Sequence, residues 1–463
     1  DLRDLHLSIR RQRQMCIRDR VKTDHEDLMH WGTDWTRSFD IAPQAVVFPE
    51  CADEIVALVK LARDRALELV PSGGRTGLSG GAVASNNEIV VSFDRMNQIK
   101  EFNSTDRIVR CEAGVITQNL QEYALDKGLF YPDDFASSGS SQIGGNVATN
   151  AGGIKVIRYG LTRDWVAGLT VVTGTGDIIR CNRGLVKNAT GYDLRHLFIG
   201  SEGTLGFIVE VEIRLAPGPK PQRVLVLGVN RLDDILNILE CFQQRIVLTA
   251  FEFFSELALQ KVLKGGDVQR PFPEPCAFYA LVEFDVDADE EAAIAFEEAL
   301  DQDWVTTGVI SQSDAQASAL WSLRENISES IAADTPYKND LSVRISEVPG
   351  FLSDVDRIVN EHYPEFDVCW YGHIGDGNLH LNILKPESFS IDAFFERCHQ
   401  INPELFNLIE QRGGSISAEH GVGLLKRDFL PFSRGDAEVG LMRELKSVFD
   451  PSGVMNPGKL LSV

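Results

Sequence analysis

Three runs of small residues limit what the first half of this chain can build. They are PSGGRTGLSGGAV (Pro71–Val83), SSGSSQIGGNVATNAGG (Ser137–Gly153) and GSEGTLGF (Gly200–Phe207). Runs like these let backbone N–H groups converge on an anion. A P-loop needs Gly-Lys-Ser/Thr opening a helix, and the first run has no lysine. A Rossmann fingerprint needs strand, loop, helix, whereas this loop leads into the strand-like EIVVSF (Glu88–Phe93). A single loop of this kind reads equally as a surface turn. Three of them, bracketed by apolar strands, imply a long cofactor threaded against backbone.

The surrounding pattern is α+β. FPECADEIVALVKLARDRALELVP has Ile55, Leu58, Val59 and Ala62 at helical spacing. A short strand, Leu67–Val70, precedes the first glycine loop, and IVRCEAG, LTVVTGTGDIIRC and GFIVEVEIRLA read as further strands. APGPKPQ (Ala216–Gln222), with three prolines, reads as a domain boundary. Beyond it, VLVLGV, TAFEFF and AFYALVEF alternate with the helical LDDILNILECF, SELALQKVL and EEAAIAFEEAL. That alternation predicts a sheet with helices on one face. The expected fold is therefore two α+β domains: 21–217 for a cofactor, 218–425 as a substrate and metal-binding cap, and a helical segment, 426–463, packing back near the cofactor site. No 20–50-residue repeat is evident.

Composition excludes several classes. A net charge of −23 over 463 residues argues against a phosphate-tracking surface for nucleic acid. No apolar run reaches the length of a membrane span. Eight cysteines without a Cys-x-x-Cys pair read as reduced thiols, which fits a bacterial cytoplasm. Residues 1–20 are basic and without period, and RQRQMCIRDR resembles translated adapter sequence. Native sequence is expected to begin near Val21.

CWYGHIGDGNLHLNIL reads as strand, turn, strand. A hairpin turn at Gly375–Asn378 can put His373 and His380 on facing strands, with Cβ atoms about 4.5–5.5 Å apart, where both imidazoles reach one divalent cation. Asn382 shares the face of His380. SISAEHGVGLLKR adds Glu419 as a third ligand and His420, whose side chain diverges from its neighbour's, as a general base. Taken singly, each histidine also reads as a structural core residue, Glu419-His420 as a capped helix start, and Asp376 as a turn aspartate instead of a ligand.

The glycine loops resemble the flavin-binding domain of vanillyl-alcohol oxidase type flavoproteins. GHIGDGNLH and AEHGVG resemble the FAD-dependent D-2-hydroxyacid dehydrogenases, most closely those acting on D-2-hydroxyglutarate, and the likeness runs from about Asp34 to Lys459. The resemblance implies FAD held by Pro71, Gly73, Gly74, Arg75, Thr76, Gly77 and Leu78, by Ser137, Gly139, Gly144, Gly145, Asn150 and Gly153, and by Glu202, Gly203, Gly206 and Ile208. Some relatives attach FAD through a histidine in the first loop; Arg75-Thr76-Gly77 has none, so dissociable FAD is expected. The resemblance also implies that His373, His380 and Glu419 bind a divalent metal, usually zinc, that His420 takes the hydroxyl proton while the C2 hydride passes to flavin, and that Asn382 touches substrate.

In the hydroxyglutarate enzymes Arg, Thr and Lys grip the distal carboxylate. Here the matching positions are Arg324, Ser328, which keeps the hydroxyl, and Lys338. Arg324 and Ser328 are four apart in the helical WSLRENISES and share a face. Solvated surface charge is the ordinary alternative for each cation, and Arg344 is a weaker candidate. A lactate or glycolate enzyme needs no distal grip. Electrons are expected to leave to a separate carrier, an electron-transfer flavoprotein or a quinone. A homodimer is left open, as is a non-catalytic FAD-binding subunit of a larger complex.

Overall fold

A computed structural model describes residues 19–462. Of the expected foreign leader, residues 1–18 lie outside the described residues. Arg20 is ion-paired with Glu50 and, at 2.5 Å, with Glu54. The chain divides into two compact units. The first comprises the residues up to Gly152, Leu161–Gly218 and Glu419 onward; the second comprises Gly153–Gly160 and Pro219–Ala418. The chain thus returns to the first unit at Glu419, earlier than residue 426.

In the first unit, β1 (Val21–Lys22), β2 (Ala45–Val47), β3 (Leu69–Ser72) and β4 (Ile89–Ser92) form a sheet in the order β1-β2-β4-β3. β4 pairs in parallel with both β2 and β3. Pro71 lies inside β3 instead of ending it, which an edge strand tolerates because no ladder donor is needed on its open side. The helix Ala52–Arg65 buries Ile55, Val59 and Ala62 and ends at Ala66 in the left-handed region. Next come β5 (Ile99–Asn103), β6 (Ile108–Glu112), β7 (Leu129–Phe130), β8 (Val166–Thr173), β9 (Ile178–Cys181), β10 (Gly206–Arg214) and β11 (Ala216–Pro217). They make an antiparallel sheet, β5-β6-β10-β8-β9, and a small β11-β7 pair.

The second unit is built on one antiparallel sheet. Its strands are β12 (Gln222–Val229), β13 (Leu248–Ser255), β14 (Phe278–Asp285), β15 (Thr307–Ile310), β16 (Tyr337–Ser342), β17 (Val368–His373) and β18 (Asn378–Ile383), in the order β15-β12-β14-β13-β17-β18-β16. The expected strand–helix alternation is present, but helices cover both faces. On one face Val224, Val226, Ala250, Phe254, Tyr279 and Leu281 pack with Leu259 and Val262 of the helix Glu256–Lys264 and with Trp321 and Leu323 of the helix Asp314–Glu325. On the other, the space above Gly308 is filled by Leu227 and by Phe296 of the helix Asp289–Asp301. Double cover explains why VLVLGV and TAFEFF are apolar at successive positions: a sheet with one wet face alternates.

Among the described residues no helix is long and apolar enough to cross a membrane, and seven cysteines are free.

Candidate active site

The three glycine loops of the first unit converge. A Cβ on Gly74 would collide with the Ser140 carbonyl, and one on Gly203 (φ +73°) would come 2.6 Å from Pro71 Cγ. The first loop thus packs on the second and the third packs on the first, at contacts only glycine permits. The second and third loops are also laced by Gly200 N–H to Val147 O (3.0 Å) and Glu202 N–H to Ala148 O (2.8 Å). Gly144 sits against Ala113, while a Cβ on Gly145 would meet nothing within 4 Å. Beside them Gln142 is buried; its Nε2 donates to Asp94 Oδ1 (2.8 Å) and its Oε1 has no hydrogen-bond partner. Closely packed backbone, open space beside Gly145 and an orphaned buried oxygen fit a polar ligand laid along the loops. Arg75 holds a positive φ and bonds Gly73 O. Asn150, also at positive φ, caps the helix Ile143–Thr149. Gly206 and Ile208 lie on β10, where Gly206 abuts Val172 O and Ile208 is buried. Gly153 belongs to the short segment that clusters with the second unit.

Glu202 does something its sequence context did not disclose. Its buried carboxylate accepts from Val422 N–H and Gly423 N–H, both at 2.7 Å. Burial raises its pKa while those two donors oppose the rise. The third glycine loop therefore holds the loop carrying Glu419 and His420, whose side chains stand 3.8 Å apart and are partly exposed.

In the second unit β17 and β18 form the expected hairpin, with Ile374–Gly377 as the turn. Asp376 is a turn residue, accepting from Asn378 N–H (3.2 Å). The register differs from a facing pair of histidines: His373 pairs with Asn378, and His380 pairs with Tyr371. The imidazoles are diagonal neighbours on one face. Their ring centroids are 5.2 Å apart at 82°, and each offers a ring nitrogen within 4.8 Å of the other's. The reason is the four-residue turn, which makes His373 the last paired residue of its strand. A diagonal pair still lies within reach of long side chains.

The same face carries residues from four adjacent strands. Glu252 of β13 accepts at Oε1 from His373 Nδ1 (2.8 Å). Asp340 of β16 is directly opposite His380, with its Oδ1 3.7 Å from His380 Nδ1. Asp340 also accepts from Asn378 Nδ2 (2.8 Å) and from Ala418 N–H (3.0 Å), the residue before Glu419. Both carboxylates are buried. Burial alone would raise the pKa of Glu252, but His373 and Arg324 outweigh it and hold the carboxyl below the ordinary range.

The expected substrate residues gather beside this row. Arg324 is 6% exposed, lies over the Tyr371 ring at 4.7 Å, and places Nη2 2.9 Å from Glu252 Oε2. That approach is off the donor axis, and neither Nε nor Nη2 completes a hydrogen bond. Ser328 lies in a separate short helical segment, Ile327–Ser330, after a break at Asn326. Its Oγ accepts from Lys338 Nζ (3.0 Å). Lys338 is directly opposite Asn382. Desolvation by the groups around its ammonium lowers its pKa, although the residue as a whole is exposed. Asn382 is buried, and its Nδ2 donates to the Cys369 and His380 carbonyls. Arg344 does not join them: it lies beyond the end of β16, its side chain is 74% exposed, and it stands 3.8 Å from Glu347.

Residues 43–182 match the FAD binding domain, and residues 218–460 match the C-terminal domain of FAD linked oxidases. The chain belongs to the FAD-linked oxidase family. Relatives within it include D-2-hydroxyglutarate dehydrogenase of Stutzerimonas stutzeri, 56% identical with 96% of each chain covered. The enzyme of the same name from Xanthomonas citri is 50% identical, over 95% of this chain and 94% of that one. The mitochondrial one from Danio rerio is 36% identical, over 96% and 83%. Among solved structures, p-cresol methylhydroxylase shares the fold at a TM-score of 0.72 and 15% identity, covering 96% of this chain and 94% of that one.

Proposed function

We propose that the protein oxidises D-2-hydroxyglutarate to 2-oxoglutarate, using dissociable FAD and a divalent metal, zinc by the character of its donors. The observation that carries the substrate is Arg324, a buried guanidinium with two unfilled donors beside Lys338 and Ser328. Buried donors are expensive to leave unpaired, and a planar fork matches a carboxylate. Lactate has no second carboxylate to offer them. Relatives 56% and 50% identical, named for hydroxyglutarate, support the same reading.

FAD, when bound along the glycine loops, supplies the electron acceptor, and a metal, when bound by His373, His380 and Glu419, supplies positive charge at the reacting hydroxyl. Two imidazoles on one face, His373 hydrogen-bonded to Glu252 and His380 3.7 Å from Asp340, fit such an ion. Glu419 follows Ala418, whose N–H is fixed on Asp340 beside His380. The chain's own residues do the rest. Arg324 and Lys338 hold the distal carboxylate, Ser328 positions the Lys338 ammonium, and Asn382 contacts the substrate from the strand opposite. His420 accepts the hydroxyl proton at a ring nitrogen. The reduced enzyme passes its electrons to a separate electron-transfer flavoprotein or quinone in the bacterial cytoplasm.

Anaerobic dye-coupled turnover of FAD-loaded protein tests this, with D-2-hydroxyglutarate, D-lactate, glycolate and D-malate, each with and without chelator. Preference for hydroxyglutarate and loss of rate on chelation are expected. Preference for lactate would remove the distal grip. No turnover on any acid, with flavin bound, would favour a non-catalytic subunit.

A further inference from the structure

Glu252 is the one charged residue in an otherwise buried strand, LTAFEFFS, and is itself 1% exposed. A lone carboxylate there is costly unless it is paired. It has two partners, and both belong to the site: His373 Nδ1 on Oε1 and the Arg324 guanidinium beside Oε2. With Nδ1 engaged, only Nε2 of His373 remains to face an ion. Asp340 stands opposite His380 on the far strand, with its Oδ1 3.7 Å from His380 Nδ1.

We propose that Glu252 is a positioning residue for the metal site: it fixes the His373 tautomer, with the proton on Nδ1 and the Nε2 lone pair presented to the ion. Asp340, whose Oδ1 is 3.7 Å from His380 Nδ1, anchors the backbone that leads to Glu419. The proposal rests on the metal reading of the histidines. It adds that the His373 ligand is set by a carboxylate contributed from the flanking strand β13. Such partners hold a ring in place and make it a better donor, and their loss weakens metal binding by about 10–100-fold.

The test is zinc affinity of the FAD-loaded protein, read by competition with a chromophoric chelator, together with the visible spectrum of the cobalt-substituted form. Glu252→Gln is expected to weaken zinc by 10–100-fold and to alter the cobalt bands. Glu283→Gln is the control. Glu283 is another buried carboxylate of this sheet, but it serves Lys155 and Trp321 Nε1 instead of a histidine. Its loss is expected to lower the melting temperature and leave zinc affinity unchanged. Should Glu252→Gln not fold, Glu252→Asp keeps the charge near Arg324 but withdraws the oxygen from His373, and the same loss is expected. Wild-type affinity in a folded Glu252 variant would overturn the proposal while leaving the metal site standing. No stoichiometric zinc in the wild type, or undiminished zinc in His373→Ala, would instead remove the metal reading and the proposal with it.

Discussion

The guanidinium of Arg324 lies over the ring of Tyr371, 4.7 Å from its centroid, with Nη2 2.9 Å from Glu252 Oε2. The two residues come from different elements, the helix Asp314–Glu325 and β17. Together they hold a desolvated cation in one orientation. Stacking of this kind contributes roughly 0.5–2 kcal/mol.

Arg324 should therefore distinguish substrates by their far end. Arg324→Lys keeps a charge near Glu252 but loses the fork. KM for D-2-hydroxyglutarate is expected to rise about 10–100-fold, as for loss of a charge-assisted hydrogen bond of about 1.5–3 kcal/mol. KM for D-lactate should change little. Steady-state kinetics on both acids decides, and equal losses would return Arg324 to a purely structural role.

Lys338 should give binding a pH dependence. Desolvation of its ammonium by the surrounding groups lowers its pKa, so it loses its proton at a lower pH than an ordinary lysine. Only the protonated form attracts a carboxylate. KM for hydroxyglutarate should rise as pH climbs through the lowered pKa, and Lys338→Met should show a high KM with that rise removed. A KM–pH profile of both proteins is the measurement.

Glu202 should affect turnover from a distance in sequence. Glu202→Gln keeps one acceptor for the Val422 and Gly423 N–H groups but loses the charge. Loosening the loop that bears His420 is expected to lower kcat by about tenfold, equivalent to ~1.4 kcal/mol, with a smaller change in KM. Stopped-flow reduction of the flavin reads it directly.

Asp133 should make the fold sensitive to pH. Burial pushes its carboxyl up to about 6, against hydrogen bonds from Tyr131 (2.5 Å) and Thr162 (2.7 Å) that favour the charged form. The folded state thus holds the proton more tightly than the unfolded chain does. The stability this gives is complete below the ordinary aspartate value, near 3.9, and is lost as pH rises through about 6. Asp133→Asn should flatten that stretch of the profile, recovering roughly 3 kcal/mol at neutral pH if both hydroxyls re-pair. Urea melts between pH 4 and pH 8 would show it.

Local chemistry made some features legible and left others out of reach. The hairpin at 368–383 follows from glycines between alternating strands, and Asn382 shares the face of His380 because side chains alternate along a strand. The diagonal offset of the two histidines depends on where pairing stops, which the turn decides. Tyr371 could have been found two residues before His373, and Asp340 two after Lys338, by the same alternation. Glu252 left only a faint mark, one acid in an apolar strand, because its partner is 121 residues away.

By itself, the sequence determined the elements, the glycine loops, the proline boundary and the identity of the chemical groups. Each of these follows from local backbone sterics and the burial of apolar residues. Tertiary structure decided which strands lie side by side: β13 beside β17 and β16 beside β18. That choice gave each histidine its carboxylate and Arg324 its aromatic ring. It also set Glu202 against a loop 220 residues on. Register between strands distant in the chain is fixed by packing of the whole sheet, and no short stretch of residues encodes it.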